Sequence, residues 1–591
     1  MKKFITSLLI LFTAFVNAQE KNPTKKANDS IKTEVVNVVT SYVPKVTDAF
    51  KIKQKPQVTH TKQTKKKELE YSIFSVPVAS TFIPKSGTMK KIDLGKRERL
   101  FANYLSIGFG NNVAPSFETF IRQSEYYNSE LGAYAKFNLS IDPVANTQLS
   151  STFYNAKLNL FYKQTDRYFD WKIGLNIDRD KYNWYGLPTN ITYSNIAIDA
   201  IEEAQTYGFY NVTGQINFEE SYINEGNISI GFFADALESS EFSADANVQF
   251  TFPLDGIHRD LNDLHLNTAI NFVGGKFVQA YENTDEIKHR FLTLGAHPTY
   301  SFLAKNFLVK LGAKAYFSLD LQNSVNQFFI YPDVEVSYPV VKDFANVFVG
   351  ATGDLTTNSY RSLAKENPFV SPTLNVVQTN QKHAAFGGIR GKLSQQLSYN
   401  VKASYSDTED NPFYSLNYSK SDGNSVSNGG FTFFGYEFGN SFRVLYDDMK
   451  TISVFGEVEY DFDKNTVLGA NFEFNKYTLT NQQHPWNLPE VKAEVFGTYK
   501  AKKWYAGGNL FFVGSRKGVQ YVGNAPAPFN VVSLKSYVDL NLNGGYNFSD
   551  SFSAYLNLNN VLNNNYQRFT NFNVQGFQAM AGLTWKFDSL F

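Results

Sequence analysis

From about Leu100 onward the chain alternates apolar and polar residues with a period of two. The pattern is clearest in the last stretch. In Tyr537–Phe548, Val538, Leu540, Leu542, Tyr546 and Phe548 share one parity and Asp539, Asn541 and Asn543 the other. In Phe552–Leu558, Phe552, Ala554, Leu556 and Leu558 alternate with Ser553, Tyr555 and Asn557. In Phe577–Phe587, Phe577, Ala579, Ala581, Leu583, Trp585 and Phe587 alternate with Gln578, Met580, Gly582, Thr584 and Lys586. Such a period puts the two sets on opposite faces of a sheet. Soluble sandwiches alternate too. Here the apolar face is nearly free of charge and has aromatics near its ends, as for strands between lipid and a wet interior.

Earlier runs repeat the theme. Phe169, Trp171, Ile173, Leu175 and Ile177 alternate with Asp170, Lys172, Asn176 and Asp178, and Val491, Ala493, Val495 and Tyr499 with Lys492, Glu494 and Lys500. Charge on one face and almost none on the other predicts a wet lumen; a dry sandwich core would invert it. The connections alternate in length. Those at Asp461–Asn465, Ala501–Lys503 and Ser549–Ser551 are tight, while Thr480–Glu490, Ser515–Ser536, Asn559–Gly576, Asp180–Thr206 and Leu355–Lys382 are long. Short turns on one side and long loops on the other are the periplasmic and extracellular sides of an outer-membrane barrel. The reading is all-β: a large transmembrane antiparallel β-barrel of about 22 strands, each a run of roughly 9–14 residues, over 98–591.

Composition supports that reading. Aromatics make up 16% of 591 residues, too many for an ordinary soluble chain of this polarity. Outside the N-terminus no run of about 18 apolar residues offers a membrane helix. Cysteine is absent, which removes disulfides, thiolate metal sites and cysteine nucleophiles. The net charge of +1 hides an asymmetry: residues 19–97 carry 17 Lys/Arg against 7 Asp/Glu, and residues 98–591 carry 37 against 48. A basic arm is therefore attached to an acidic body. It is either a solvated tail or a segment that docks on acidic protein, including its own barrel.

Residues 1–18 read as a secretory signal peptide: Lys2 and Lys3, an apolar Phe4–Val16, and a small-residue cleavage site at Val16-Asn17-Ala18. Residues 19–97 read as a flexible periplasmic arm, low in large apolar residues. Within it lies one β-branched island, Thr33-Glu34-Val35-Val36-Asn37-Val38-Val39-Thr40. It is either a short strand that packs locally or a segment captured by a partner as an added strand. Pro77 and Pro84 keep 71–97 from forming a central strand.

The C-terminal stretch carries a resemblance. Leu540-Asn541-Leu542 with Gly545-Tyr546, then Leu556-Asn557-Leu558-Asn559-Asn560-Val561-Leu562-Asn563-Asn564-Asn565-Tyr566, then Gly582-Leu583-Thr584-Trp585-Lys586-Phe587 resemble the end of TonB-dependent outer-membrane receptors. Leu583, Trp585, Phe587 and the terminal Phe591 resemble the C-terminal assembly signal of bacterial outer-membrane barrels. High Asn, Lys, Tyr and Phe usage resembles a Bacteroidota-type outer membrane. The resemblance implies ligand transport across the outer membrane, outer-membrane lipid around the barrel, and Thr33–Thr40 as a TonB box bound by TonB or another periplasmic protein. It also implies a plug domain. Thr40 to Leu100 leaves about 60 residues rich in Lys, Thr and Pro, which does not fit a globular plug. A barrel this wide needs a filled lumen. The arm, inward-folded loops or a plug-supplying or lipoprotein partner would fill it. The alternative to a receptor is thus a plugless channel or scaffold subunit of a larger outer-membrane assembly; a passive porin is disfavoured by strand count and C-terminal motif.

Other candidate sites read as structural. His258 and His265 sit with Asp255, Asp260 and Asp263 in a hydrated turn rather than a metal site. Asp407, Glu409 and Asp410 lack the spacing and glycine of a calcium loop. Tyr182, Trp184, Tyr185 and Trp486 read as girdle or loop-packing residues in preference to ligand stackers. No nucleophile-elbow, zinc-protease, dinucleotide or P-loop pattern appears in a usable context. The chain reads as no enzyme, with no cofactor, metal or nucleic acid.

Overall fold

The computed structural model describes residues 99–588, apart from 112, 113, 126, 127, 343 and 527. The signal peptide, the whole arm with Thr33–Thr40, and Phe591 lie outside the described residues.

Twenty-two strands form one closed antiparallel sheet. Each pairs with its neighbours in sequence, and the ring closes where Asn103–Gly110 pairs with Gln578–Phe587, from Asn103↔Phe587 to Gly110↔Met580. The expected strand count and closing strand are both present. The C-terminal parity is also as read. Leu583 and Trp585 keep about half their surface exposed on the outside, with Leu542 and Leu556 beside them. Asn541, Asn543, Ser553, Tyr555, Asn557, Thr584 and Lys586 line the interior. Ion pairs across the inner wall, such as Lys136–Glu118 at 3.3 Å and Lys492–Glu473 at 3.5 Å, offset the charge placed there.

The seam register has its own lock. Gly108 and Gly582 pair across it, and the Tyr555 ring covers both. A Cβ at either glycine would collide with that ring. Both positions therefore need glycine, so that a phenol can lie against bare backbone.

Strand length departs from the sequence reading. Leu397–Leu416 has 20 residues and Phe442–Asp463 has 22, whereas about 9–11 tilted residues cross a membrane. The extra length stands on the long-loop side. There Phe442, Val444, Tyr446 and Met449 are buried instead of facing lipid. The loops on this side hold three two-stranded hairpins, Ser427–Asn428 with Phe431–Thr432, Arg516–Tyr521 with Phe529–Leu534, and Gln567–Phe569 with Phe572–Asn573.

Those loops fold together into a cap over the barrel. Its core is largely aromatic. Phe369 stacks on Phe572 at 4.0 Å between ring centres, and Tyr185 meets both edge-on. Trp184 packs on Tyr436 at 5.5 Å and donates its indole N–H to the Phe369 carbonyl. Phe369, Phe572, Trp184 and Tyr436 come from four different loops, so the contacts span the mouth.

The in–out assignment makes a paired prediction. Leu583→Arg places a charge on the lipid face near the middle of its strand and should cost about 2–4 kcal/mol in a lipid-based unfolding titration. Thr584→Arg, one residue on and facing the lumen, should cost far less.

Candidate functional site

Below the cap the barrel interior forms a chamber, and one short helix forms much of its ceiling. Tyr360–Glu366 begins with a capping box: the Ser359 hydroxyl accepts from the Ser362 N–H, and the Ser362 hydroxyl accepts from the Ser359 N–H, both at 3.0 Å. Asn367-Pro368 ends it, since the residue before a proline is pushed out of helical geometry.

The helix is docked on the barrel wall through its N-terminus. The Glu241 carboxylate accepts from the Tyr360 N–H at 2.5 Å and the Arg361 N–H at 3.2 Å, and lies 3.1 Å from His289 Nε2. A carboxylate here meets unpaired backbone donors and the positive end of the helix dipole. Glu241 and His289 are both buried. Tyr360 is fully buried against Tyr207, Phe233 and Phe277, and its hydroxyl donates to Asp235 at 2.8 Å. The Arg361 guanidinium lies 3.5 Å over the Phe209 ring and 3.7 Å from Asp178.

Two adjoining cavities of about 790 and 730 Å³ make up the chamber. They share Phe153, Asn155, Tyr182, Asn541 and Asn559. The first is lined by phenols and amides, Tyr104, Tyr134, Tyr505, Tyr555, Asn543 and Asn557, and by the charged Lys157, Asp178, Asp180, Arg361 and Lys365. The second lies under the aromatic cap. Tyr537 and Tyr566 stack at 3.6 Å, and Arg516, Arg568 and Glu366 complete that end. Glu366 accepts from the Tyr414 hydroxyl at 3.0 Å. Burial pushes its carboxyl up to about 7, although Tyr414 and the Arg568 charge pull the other way. Nothing in this arrangement pairs a nucleophile with a base; it can enclose a ligand and bind it by hydrogen bonds, ring faces and charge.

The residues singled out from sequence are dispersed. Tyr182, Trp184, Tyr185 and Trp486 all enter the cap core, and Tyr182, Tyr185 and Trp486 also line the chamber. His258, Asp255, Asp260 and Asp263 lie in the turn at 253–263, on the short-turn side. There Asp255 accepts from the Gly256 N–H and His258 Nδ1 from the Asp260 N–H, while His265 pairs with Thr251 at 2.9 Å. Glu409 and Asp407 are each met by a lysine, Lys382 and Lys450, and Asp410 occupies a bulge at φ 51°. Leu583, Trp585 and Phe587 form the closing strand. Glu241, Tyr360, Arg516 and Arg568 were missed. Glu241 sits in an ordinary alternating strand and its helix 119 residues away, so no local pattern marks the pair.

Two outcomes follow from the docking. Glu241→Ala removes the acceptor of two helix N–H groups and should loosen the cap by on the order of 3 kcal/mol. Amide hydrogen exchange across 357–378 would then quicken, with increased susceptibility to a large antibiotic normally kept outside. For Glu366 the folded protein favours the neutral acid. Its contribution is fully present below about pH 4.5 and is lost as pH rises through about 7. The cap should therefore lose up to about 3 kcal/mol between pH 5 and 8, read by thermal melting, and Glu366→Gln should remove most of that dependence.

No family model and no curated protein sequence matches the chain. Its fold does match solved structures. The pyoverdine outer membrane receptor FpvA of Pseudomonas aeruginosa superposes with a TM-score of 0.59 at 14% identity, over 83% of this chain and 79% of that one. The ferric enterobactin receptor PfeA of the same organism gives 0.59 at 10%, over 82% and 81%. The FrpB iron transporter of Neisseria meningitidis gives 0.59 at 12%, over 82% of each. The chain thus has the fold of the TonB-dependent outer-membrane receptors, a closed 22-stranded transmembrane barrel.

Proposed function

We propose that this receptor-like barrel passes a small ligand across the outer membrane, with Thr33–Thr40 as the segment that engages TonB. The observation that carries the reading is the chamber: a polar and aromatic space of ligand size, inside a closed barrel and beneath a cap of long loops. A structural wall would gain nothing from such a space. The solved structures of similar fold are of receptors and an iron transporter, which supports a transport role. The first described residues lie on the short-turn side, where TonB would reach a segment preceding them: Arg99 is tied to Asp588 at 2.6 Å beside the first strand.

A second reading is favoured by one feature. The cap packs on itself as a continuous aromatic core, so the mouth is covered without help from a plug. A barrel closed in this way could serve as a scaffold or channel subunit of a larger outer-membrane assembly.

The two readings part on the arm. Strains lacking the whole gene and strains lacking only 33–40 should share one growth defect if import is driven through that segment. A strain lacking 33–40 that grows like wild type, with an outer-membrane lipoprotein or second barrel co-purifying with the native protein, would sink the transport reading and support the assembly one.

A further inference from the structure

The cap covers the mouth unevenly. Its two packed clusters draw on residues between Leu149 and Phe572. Among the described residues, none before Leu149 and none of the closing strand Gln578–Phe587 belongs to either. The connection from Gly110 to Ala114 is too short to reach across so wide a ring. Asn111 is instead turned back onto the chain beside it. Its side-chain amide donates to the Phe577 carbonyl at 2.8 Å, and its side-chain oxygen accepts from the Ala579 N–H at 3.1 Å.

The 790 Å³ cavity lies along this thinly covered side and runs the height of the wall. At the long-loop end it touches Asn111, Ala114, Ser140 and Gln578. At the short-turn end it touches Tyr104, Ser553, Thr584 and Lys586. Roughly 26 Å of strand separate Gln578 from Lys586. Between the ends the wall groups are short and polar, among them Ser106, Ser116, Asn138, Asn543 and Asn557. Tyr555 lies against the bare backbone of Gly108 and Gly582, which keeps its ring close to the wall. Groups of this kind hold water and give little grip to an apolar body.

The charge along the cavity has a sign. Lys136, Lys157, Arg361, Lys365 and Lys586 line it, against Glu118, Asp178 and Asp180. Two of those acids already face a cation, Glu118 meeting Lys136 at 3.3 Å and Asp178 meeting Arg361 at 3.7 Å. A surplus of fixed positive charge inside low-dielectric walls raises the local concentration of mobile anions.

We propose that the seam side of the barrel is a standing, water-filled passage that conducts small inorganic anions from one face to the other, while the cap excludes large solutes. This activity goes beyond ligand import. It requires neither a bound ligand nor TonB, so import could fail with the passage intact.

The test is current recording from the full-length protein in planar lipid bilayers. Steady single-channel steps are expected in potassium chloride, and under a salt gradient the reversal potential should lie on the chloride side of zero. The chain has no cysteine, so Ser106→Cys places a single thiol in the passage. A negatively charged methanethiosulfonate reagent should then remove most of the current. Ile107→Cys, on the outer face one residue on, should be insensitive to the same reagent. Heat-modifiable gel mobility shows that each variant has kept its barrel. Absence of steps, a reversal potential on the potassium side, or a folded Ser106→Cys protein as insensitive as Ile107→Cys would overturn the proposal.

Discussion

The fold depends on one constraint: within lipid, every backbone N–H and C=O must find its partner inside the protein. An open sheet of this size would expose two edges to hydrocarbon. Closure of Asn103–Gly110 on Gln578–Phe587 removes both at once. The first and last strands must then be equally placed in register, and the Tyr555 ring over the Gly108–Gly582 pair fixes that register sterically. Outside–inside parity follows all round the ring, since a slip of one residue would turn Lys586 toward lipid and Trp585 toward water.

Closure creates a second problem, because a ring of this circumference encloses a wide lumen. On the extracellular side the chain meets it with length. Strands of 20 and 22 residues rise past the bilayer and carry long loops whose aromatics bury one another. Ordering a loop costs about 1–2 kcal/mol per residue in backbone entropy, so segments as long as 417–441 stay fixed only where they bury large side chains. Tyr436, Phe438, Phe442 and Phe572, all nearly inaccessible, fill that role.

This division explains what was legible in the sequence. The barrel obeys a local rule, the period of two, so Leu583 against Thr584 or Leu556 against Asn557 could be assigned by inspection, and the turn lengths gave the two sides. The cap obeys no period. Trp184, Tyr360 and Phe572 owe their burial to partners far away in sequence, on other loops and strands. The upper strand ends were under-measured for a related reason: Phe442, Val444 and Tyr446 still alternate, but the cap core covers them in place of lipid. The Asp and His residues of 255–265, read as a hydrated turn in preference to a metal site, serve their own turn. The groups with unusual surroundings, Glu241, Arg516 and Arg568, are isolated in sequence and meet their partners only through the fold.

The cap and the chamber are therefore one device, and the kind of contact holding each part differs. The aromatic core is non-directional and tolerates sliding. The ties that fix the Tyr360–Glu366 helix are directional: a carboxylate on two helix N–H groups, a phenol on Asp235, and a phenol on a carboxyl whose charge state changes near neutrality. Such ties are strong when all partners are present and fail together when one is withdrawn, because each exposed group then carries its full desolvation cost. Tyr414, Glu366 and Arg568 meet where the helix ends and the second cavity begins.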